Sequence, residues 1–517
     1  MCGVYRAEGE GACGAGMGRS RSAVKMRNKI RWILLAAALL GGTACGDDAA
    51  TGDWEAYADK CAMPRTGVSP TSGRPYADVQ GTLDDEKRWL KEWTQDLYLW
   101  YAEVPSTDPD DYSSALAYFD VLKTPALTAS GKPRDQFHFT FPTDQWEALS
   151  QSGVSVGYGA QWVLVATRPP RKALVAYVEP SSPATAAGLT RGAELLTVDG
   201  VDVVNGSDVD TLNAGLFPDA ANESHTFVVR DRGSTATRTI TMTAVSVESH
   251  PVQSVTILPT PTGPVGYLVF NDHLATAEEQ LIAGVRQFDE AQVTDAVIDL
   301  RYNGGGYLDI ASELAFMLAG PDATTGKIFD KIEFNDQHRG SNPVTGQSLE
   351  GTPFYSTTQG FSVDEGMPLP NLGLDRVFVL TGPTTCSASE AIMNSLRGVD
   401  VEVIQIGATT CGKPYGFYPW DNCGTTYFSI QFQGVNDKGF GDYADGFVPG
   451  GTGPSGVPGC NVADDFTHEL GDPAEGRLAA ALAYRDSQTC PAAAKPGLGA
   501  TDGILRKSIW QMNRISR

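Results

Sequence analysis

Between residues 264 and 406 two kinds of apolar run alternate, and this constrains the fold more than any other feature of the chain. Gly266–Asn271, Ala296–Leu300, Arg376–Leu380 and Val401–Ile406 are short, nearly continuous apolar runs, the mark of strands buried on both faces. Between them Ala277–Glu290 sets Leu281, Ile282, Val285 and Phe288 on one helical face, and further helices are expected over Leu308–Leu318 and about Ala388–Leu396. Strand and helix in alternation describe an α/β core of roughly 220 residues.

The flanks have different periods. Residues 153–246 carry short β runs at Gln161–Ala166, Ala173–Val178, Glu194–Val198, His225–Arg230 and Thr237–Ala244. Upstream, Trp89, Leu90, Trp93, Leu97, Trp100 and Tyr101 recur at helical spacing before Pro105, and a second amphipathic stretch covers Tyr112–Leu122. The aromatic stripe is read as core. The expected class is therefore α+β and multidomain: a helical N-terminal domain at 81–150, a β domain at 151–248 and the α/β core at 249–487. A tether rich in Asp, Gly, Ser, Thr and Pro precedes them at 45–80, and a C-terminal tail follows at 488–517.

Charge removes two classes of partner. The 517 residues hold 39 Lys+Arg against 62 Asp+Glu, a net charge of -23. Phosphate neutralisation needs a basic surface, so no nucleic-acid partner is expected. Anionic lipid gains no electrostatic hold either.

The first 44 residues read as an address. Arg27, Lys29 and Arg31 precede the apolar run Trp32–Leu40 and then Gly41-Gly42-Thr43-Ala44-Cys45, the layout of a secretory signal. Met26 is the expected start, just ahead of the basic cluster. Cys45 after small residues resembles the lipobox of bacterial lipoproteins, with Gly42 where that motif usually has Leu. The resemblance implies lipidation of Cys45 and attachment at the bacterial cell envelope by the lipid anchor alone. Export would put Cys61, Cys386, Cys411, Cys423, Cys460 and Cys490 in an oxidising compartment. The six allow 15 full pairings. Cys411–Cys423 and Cys460–Cys490 are expected, because each pair brackets a loop-rich stretch. No C-x-x-C or His-Glu-x-x-His occurs, so no metal site is expected.

Three strings in the α/β core carry chemistry. Asp299-Leu300-Arg301-Tyr302-Asn303-Gly304-Gly305-Gly306 runs from a buried strand into a helix, where glycines and free N–H groups suit an anion. Thr385-Cys386-Ser387-Ala388-Ser389-Glu390 also follows a strand and opens a helix. Ser387 with Glu390 three residues later fits an ordinary capping box as well as a nucleophile at a positive helix end. Gly407-Ala408-Thr409-Thr410-Cys411-Gly412-Lys413-Pro414 nearly matches a phosphate-binding loop. Pro414 lacks the required hydroxyl and forbids a following helix, so nucleotide binding is rejected. A lysine in so apolar a setting can serve as a general base.

Together these strings resemble the carboxy-terminal processing peptidases, or tail-specific serine proteases, over roughly residues 83–485. The resemblance implies a ClpP/crotonase-like protease core, with Ser387 as nucleophile and Lys413, 26 residues on, as general base. It also implies an oxyanion hole from the N–H groups of Gly305 and Ala388, and no cofactor. Phe417 stands where the family usually has Gln or Glu, so the dyad either works without a third partner or finds another polar group. His273 is the one histidine near a core strand end. The string from Pro183 to Gly200, with Gly157-Tyr158-Gly159-Ala160 before it, resembles a PDZ domain. That implies that Gly157, Tyr158, Gly159 and Ala160 capture the free C-terminus of a protein or peptide substrate. The competing reading is a non-catalytic PDZ tail-binder on a protease-like scaffold.

Overall fold

The computed structural model describes residues 53–166 and 169–491, and the backbone of 514–515. The signal segment, Cys45 and the start of the expected tether lie outside these residues. Among the described residues, no helix is long and apolar enough to cross a membrane.

The strand–helix alternation becomes a six-stranded sheet. Its order is Val252–Leu258, Val265–Phe270, Asp295–Asp299, Arg376–Thr381, Glu402–Gly407 and Gly459–Asn461. The first pair is antiparallel and the rest are parallel. Alternate residues of each strand serve opposite faces. Ile298, Val377 and Val379 pack with helices Ala277–Glu290, Leu308–Thr324 and Ala388–Gly398. Val297, Phe378 and Leu380 pack instead with Leu478 and Ala481 of helix Gly476–Ser487. Both faces are covered, which is why these strands lack polar alternation. The helix from Leu308 runs on to Thr324, past its expected end at Leu318, but breaks at Gly320.

The β domain follows its sequence pattern closely. Thr237–Thr243, Ser224–Arg230, Glu194–Val198, Lys172–Val178 and Ala160–Ala166 lie side by side in that order, with Ala160–Ala166 at one end. Arg191 ties this sheet to the core. It donates to the Tyr302 hydroxyl at 2.6 Å and to Asp464 at 2.6 Å.

The N-terminal part is less separate than expected. Helix Leu83–Leu97 is capped by Thr82 and Asp85 and buries Trp89, Leu90, Trp93 and Leu97. Those rings meet Tyr427, and strand Phe139–Pro142 pairs with Thr425–Phe428. The expected tether is corrected from residue 53 onward. Trp54 is buried and its indole N–H donates to Asp96 at 2.8 Å, while Cys61 is bonded to Cys423. The expected Cys411–Cys423 bridge is therefore wrong, and Cys411 joins Cys386 instead. Cys460–Cys490 forms as expected. Far along the chain, Arg514–Ile515 pairs in parallel with Gly306–Tyr307.

A buried carboxyl pair braces the helix layer. Glu278 accepts the N–H groups of Gln359, Gly360, Phe361, Ser362 and Val363. Glu313 lies beside it, and burial, then the charge of Glu278, push its carboxyl up to about 9. A native carboxyl that holds its proton while the unfolded one has lost it makes stability fall as pH rises from about 4.5 towards 9. Glu313→Gln keeps a neutral donor there. Urea midpoints at pH 5.5 and 8.5 should drop for wild type by the equivalent of a few kcal/mol and change much less for the variant.

Candidate active site

Strand Arg376–Thr381 leads through a short turn into helix Ala388–Gly398, and Ser387 is the junction. The turn is sewn to the neighbouring glycine turn. Thr385 donates to the Leu300 carbonyl at 2.7 Å, Thr384 to that of Arg301 at 2.7 Å, and the Cys386 N–H to that of Asn303 at 3.1 Å. Ser387 sits at φ 59°, ψ -116°, a sparsely populated region for a residue with a Cβ. Such a conformation persists only where its surroundings over-determine it. Its hydroxyl is buried and makes no hydrogen bond among the described residues. Ser387 and Glu390 keep the relative placement of a capping box, but the serine hydroxyl forms no cap hydrogen bond within ordinary geometry.

The Glu390 half of the box holds and extends further than a cap. Glu390 is fully buried and Oε2 accepts the Ser387 N–H at 3.0 Å. The same oxygen accepts the Lys413 N–H at 2.8 Å. Oε1 accepts the Gly412 N–H at 2.9 Å and the Thr410 hydroxyl at 2.5 Å. Burial raises the Glu390 carboxyl above its ordinary range, and these four donors pull it back. The backbones of Ser387 and Lys413 thus meet on one oxygen. Gly412 is required here: its φ is +89°, and a Cβ would lie 2.2 Å from the Ala444 carbonyl.

Lys413 is fully buried. Its Nζ lies 4.3 Å from the ring centre of Phe417 and 4.8 Å from that of Phe137. Phe417 packs in turn on Phe139 and Phe428. Phe417 is thus an aromatic wall against the amine rather than a hydrogen-bond partner for it.

The glycine turn completes the group. Arg301 is buried against Asp299, Asp464 and both oxygens of Glu475. Burial opposes charge at Asp464, but Arg477, Arg301 and Arg191 hold it well below the usual carboxylate range. Asn303 Oδ1 accepts the Gly305 N–H at 2.9 Å and lies 2.9 Å from His273 Nδ1. The Gly305 N–H is therefore occupied in this structure. Ala388 is the first helical residue, and its N–H belongs to the turn that no intrahelical bond satisfies. Burial pushes His273 down to about 3, so its ring is neutral and holds the turn. Gly306, at φ +137°, passes so close that a Cβ would lie 2.5 Å from the His273 carbonyl.

Gly157, Tyr158, Gly159 and Ala160 lie elsewhere, in the β domain. Tyr158 is buried and donates to the Gly215 carbonyl at 3.1 Å, and the Gly159 carbonyl accepts the Glu179 N–H at 2.7 Å. Cys386, Glu390 and Cys411 gather in one place. The two sulfurs are joined to each other and offer no thiolate to a metal. This bridge was missed from sequence, yet a signal existed. Cys386 precedes Ser387 and Cys411 lies two residues before Lys413, so a meeting of the dyad brings the cysteines together.

Ser387→Ala removes a buried hydroxyl that has no partner, so its thermal midpoint should equal or exceed wild type. Glu390→Ala strands four buried donors and should cost about 3 kcal/mol or more in urea unfolding.

Two family models match the chain: Peptidase family S41 over residues 264–416, and Peptidase S41 N-terminal domain over 85–139. A carboxyl-terminal-processing protease of Picosynechococcus sp. is 29% identical over 241 residues, 45% of this chain and 49% of that protein. The chain thus spans about half the length of the curated relative it matches. A crystal structure of a putative S41 protease from Bacteroides fragilis covers 80% of this chain and 98% of its own at 24% identity. Its TM-score of 0.58 shows a common fold.

Proposed function

From the premise that the chain carries the peptidase and N-terminal domains of peptidase family S41, we propose that it is a serine endopeptidase cutting protein substrates with a Ser387/Lys413 dyad. The observation that carries this is the Ser387 hydroxyl. It is held in a strained conformation at a helix N-terminus, unbonded, beside a loop whose lysine amine is enclosed by two aromatic rings. Unexplained strain combined with an unsatisfied polar atom marks a functional group.

The chemistry follows from the placement. The neutral Lys413 amine takes the proton from Ser387 Oγ, which attacks a peptide carbonyl. The developing oxyanion is held by the Ala388 N–H and by the Gly305 N–H. The latter exchanges the neutral Asn303 oxygen for a charged one, a stronger acceptor. Lys413 passes its proton to the leaving amine, and water then releases the acyl-enzyme. None of these steps needs a cofactor.

The β domain is read as a PDZ-like module that presents a substrate's C-terminal tail. Its strand Ala160–Ala166 ends the sheet, where a peptide can add as a further strand, with Gly157–Ala160 receiving the carboxylate. Phe417 favours the competing reading, a non-catalytic tail-binder, because it supplies no hydrogen bond to the amine. The three disulfides among the described residues support an exported location, and we read Cys45 as the lipidated first residue of an envelope protein.

Ser387→Ala and Lys413→Ala should each lower β-casein cleavage by about a thousandfold or more, with the fold retained. Peptide substrates should be cut more slowly once their C-terminus is amidated. Cleavage by the Ser387→Ala protein equal to wild type would refute Ser387 as the nucleophile, and no cleavage by folded wild type would leave only the tail-binder. In cells, Cys45→Ser should move the protein from the membrane to the soluble fraction. A wild-type protein already soluble, with an unmodified Cys45, would contradict the anchor.

A further inference from the structure

The bridge between Cys386 and Cys411 lies where the proposed chemistry is assembled. Cys386 is the residue before Ser387, and its Cα is 5.2 Å from that of Cys411, two residues before Lys413. Residues 408–414 form no helix or strand, so no ladder fixes the path that carries the lysine. Hydrogen bonds of Ala408 with Thr381, of Thr410 with Phe447 and of the Pro414 carbonyl with the Gly434 N–H anchor its two ends. Between them Glu390 takes the Thr410 hydroxyl and the N–H groups of Gly412 and Lys413, the Cys411 N–H donates to the Thr385 carbonyl at 3.0 Å, and the disulfide adds a covalent tie to residue 386. The bridge and Glu390 grip the same two segments, and both act on Ser387, one through residue 386 and one through the serine N–H. Among the described residues the other two bridges join Cys61 to Cys423 and Cys460 to Cys490 and include no neighbour of Ser387 or Lys413.

We propose that the Cys386–Cys411 disulfide, together with Glu390, is the positioning element of the dyad, so that catalytic competence belongs to the oxidised chain and opening this one bridge disables it. The inference rests on the Ser387/Lys413 reading above. Burial fixes the order of events. Cys386 is fully buried and Cys411 is partly exposed, so a small dithiol reaches the Cys411 sulfur first. Its thiolate bonds to Cys411 Sγ, the S–S bond breaks, and the electron pair leaves on Cys386 Sγ, which takes a proton. The second thiolate of the reductant then displaces Cys411 as a thiol and closes the reductant's own cyclic disulfide. Two electrons and two protons pass from the dithiol to the protein. Ser387 and Lys413 keep their side chains but lose the covalent link that sets their separation. The expected loss therefore falls on kcat rather than on KM.

The test uses the full chain, a Cys386→Ser/Cys411→Ser variant and a Cys460→Ser/Cys490→Ser variant, with β-casein and a fluorogenic peptide. In the first variant kcat should fall at least tenfold with KM within about twofold. Its kcat–pH profile should move relative to wild type, and dithiothreitol should have no further effect. The second variant should keep the wild-type kcat and lose it when dithiothreitol opens Cys386–Cys411, located by mass mapping of alkylated thiols. Wild-type kcat and pH profile in the Cys386→Ser/Cys411→Ser protein would overturn the proposal. If that variant does not fold, graded reduction of wild type decides. Loss of activity should track the opening of Cys386–Cys411 at constant circular dichroism, and loss that tracks another bridge contradicts it. A readout without proteolysis separates this inference from the reading it rests on. In Ser387→Ala protein, reduction should speed hydrogen exchange at the amides of residues 387 and 413. Unchanged exchange would reject the positioning role even if wild type proves an active protease.

Discussion

One buried carboxylate holds the proposed active site together. Glu390 brings the N–H groups of Ser387, Gly412 and Lys413 and the Thr410 hydroxyl onto two oxygens. Taking a carboxylate out of water costs several kcal/mol, and only a full set of donors offsets that. The arrangement is therefore all-or-none. Glu390 either has its donors from both segments, in which case serine and lysine are adjacent, or the site is unstable. A residue that begins as a helix cap becomes the link between two strand ends.

The rest of the core serves this junction. Parallel strands deliver three turns to the same end of the sheet: 300–306 after Asp299, 382–387 after Thr381 and 408–413 after Gly407. Ligand sites in α/β sheets form at the carboxyl ends of strands for that reason. Arg301, with Asp299, Asp464 and Glu475, fixes the first turn from below, and Arg191 extends this ion network into the β domain. Any movement of the β domain would act on Tyr302, one residue from Asn303.

Much of this was legible in the residues. Helix Ala277–Glu290, strand Glu194–Val198 and four core strands fall where their periods put them, because both faces of those core strands and one face of the helix are buried, whereas core strands Val252–Leu258 and Gly459–Asn461 were not expected. Ser387 at a helix start was legible because a strand, a turn and an apolar helix leave it no other place. What failed depends on contacts remote in sequence. The stretch from residue 53 looked like a tether because its composition is polar, but its fixation comes from Cys423, 362 residues away from Cys61. The Cys411–Cys423 expectation weighed the loop between two cysteines and not the turn that brings Cys386 alongside. The aromatic wall at Phe417 was visible as a departure, but its partner Phe137 comes from the N-terminal part, and no local pattern connects the two.

The central claim is that Ser387 is a nucleophile activated by Lys413, and a fluorophosphonate reports on that step without any substrate. The oxidised protein should take up one adduct, mapped by peptide mass to Ser387, and Lys413→Ala protein of the same fold should take it up at least a hundredfold more slowly. An adduct on another serine, no adduct at all, or equal rates in the two proteins would contradict the account.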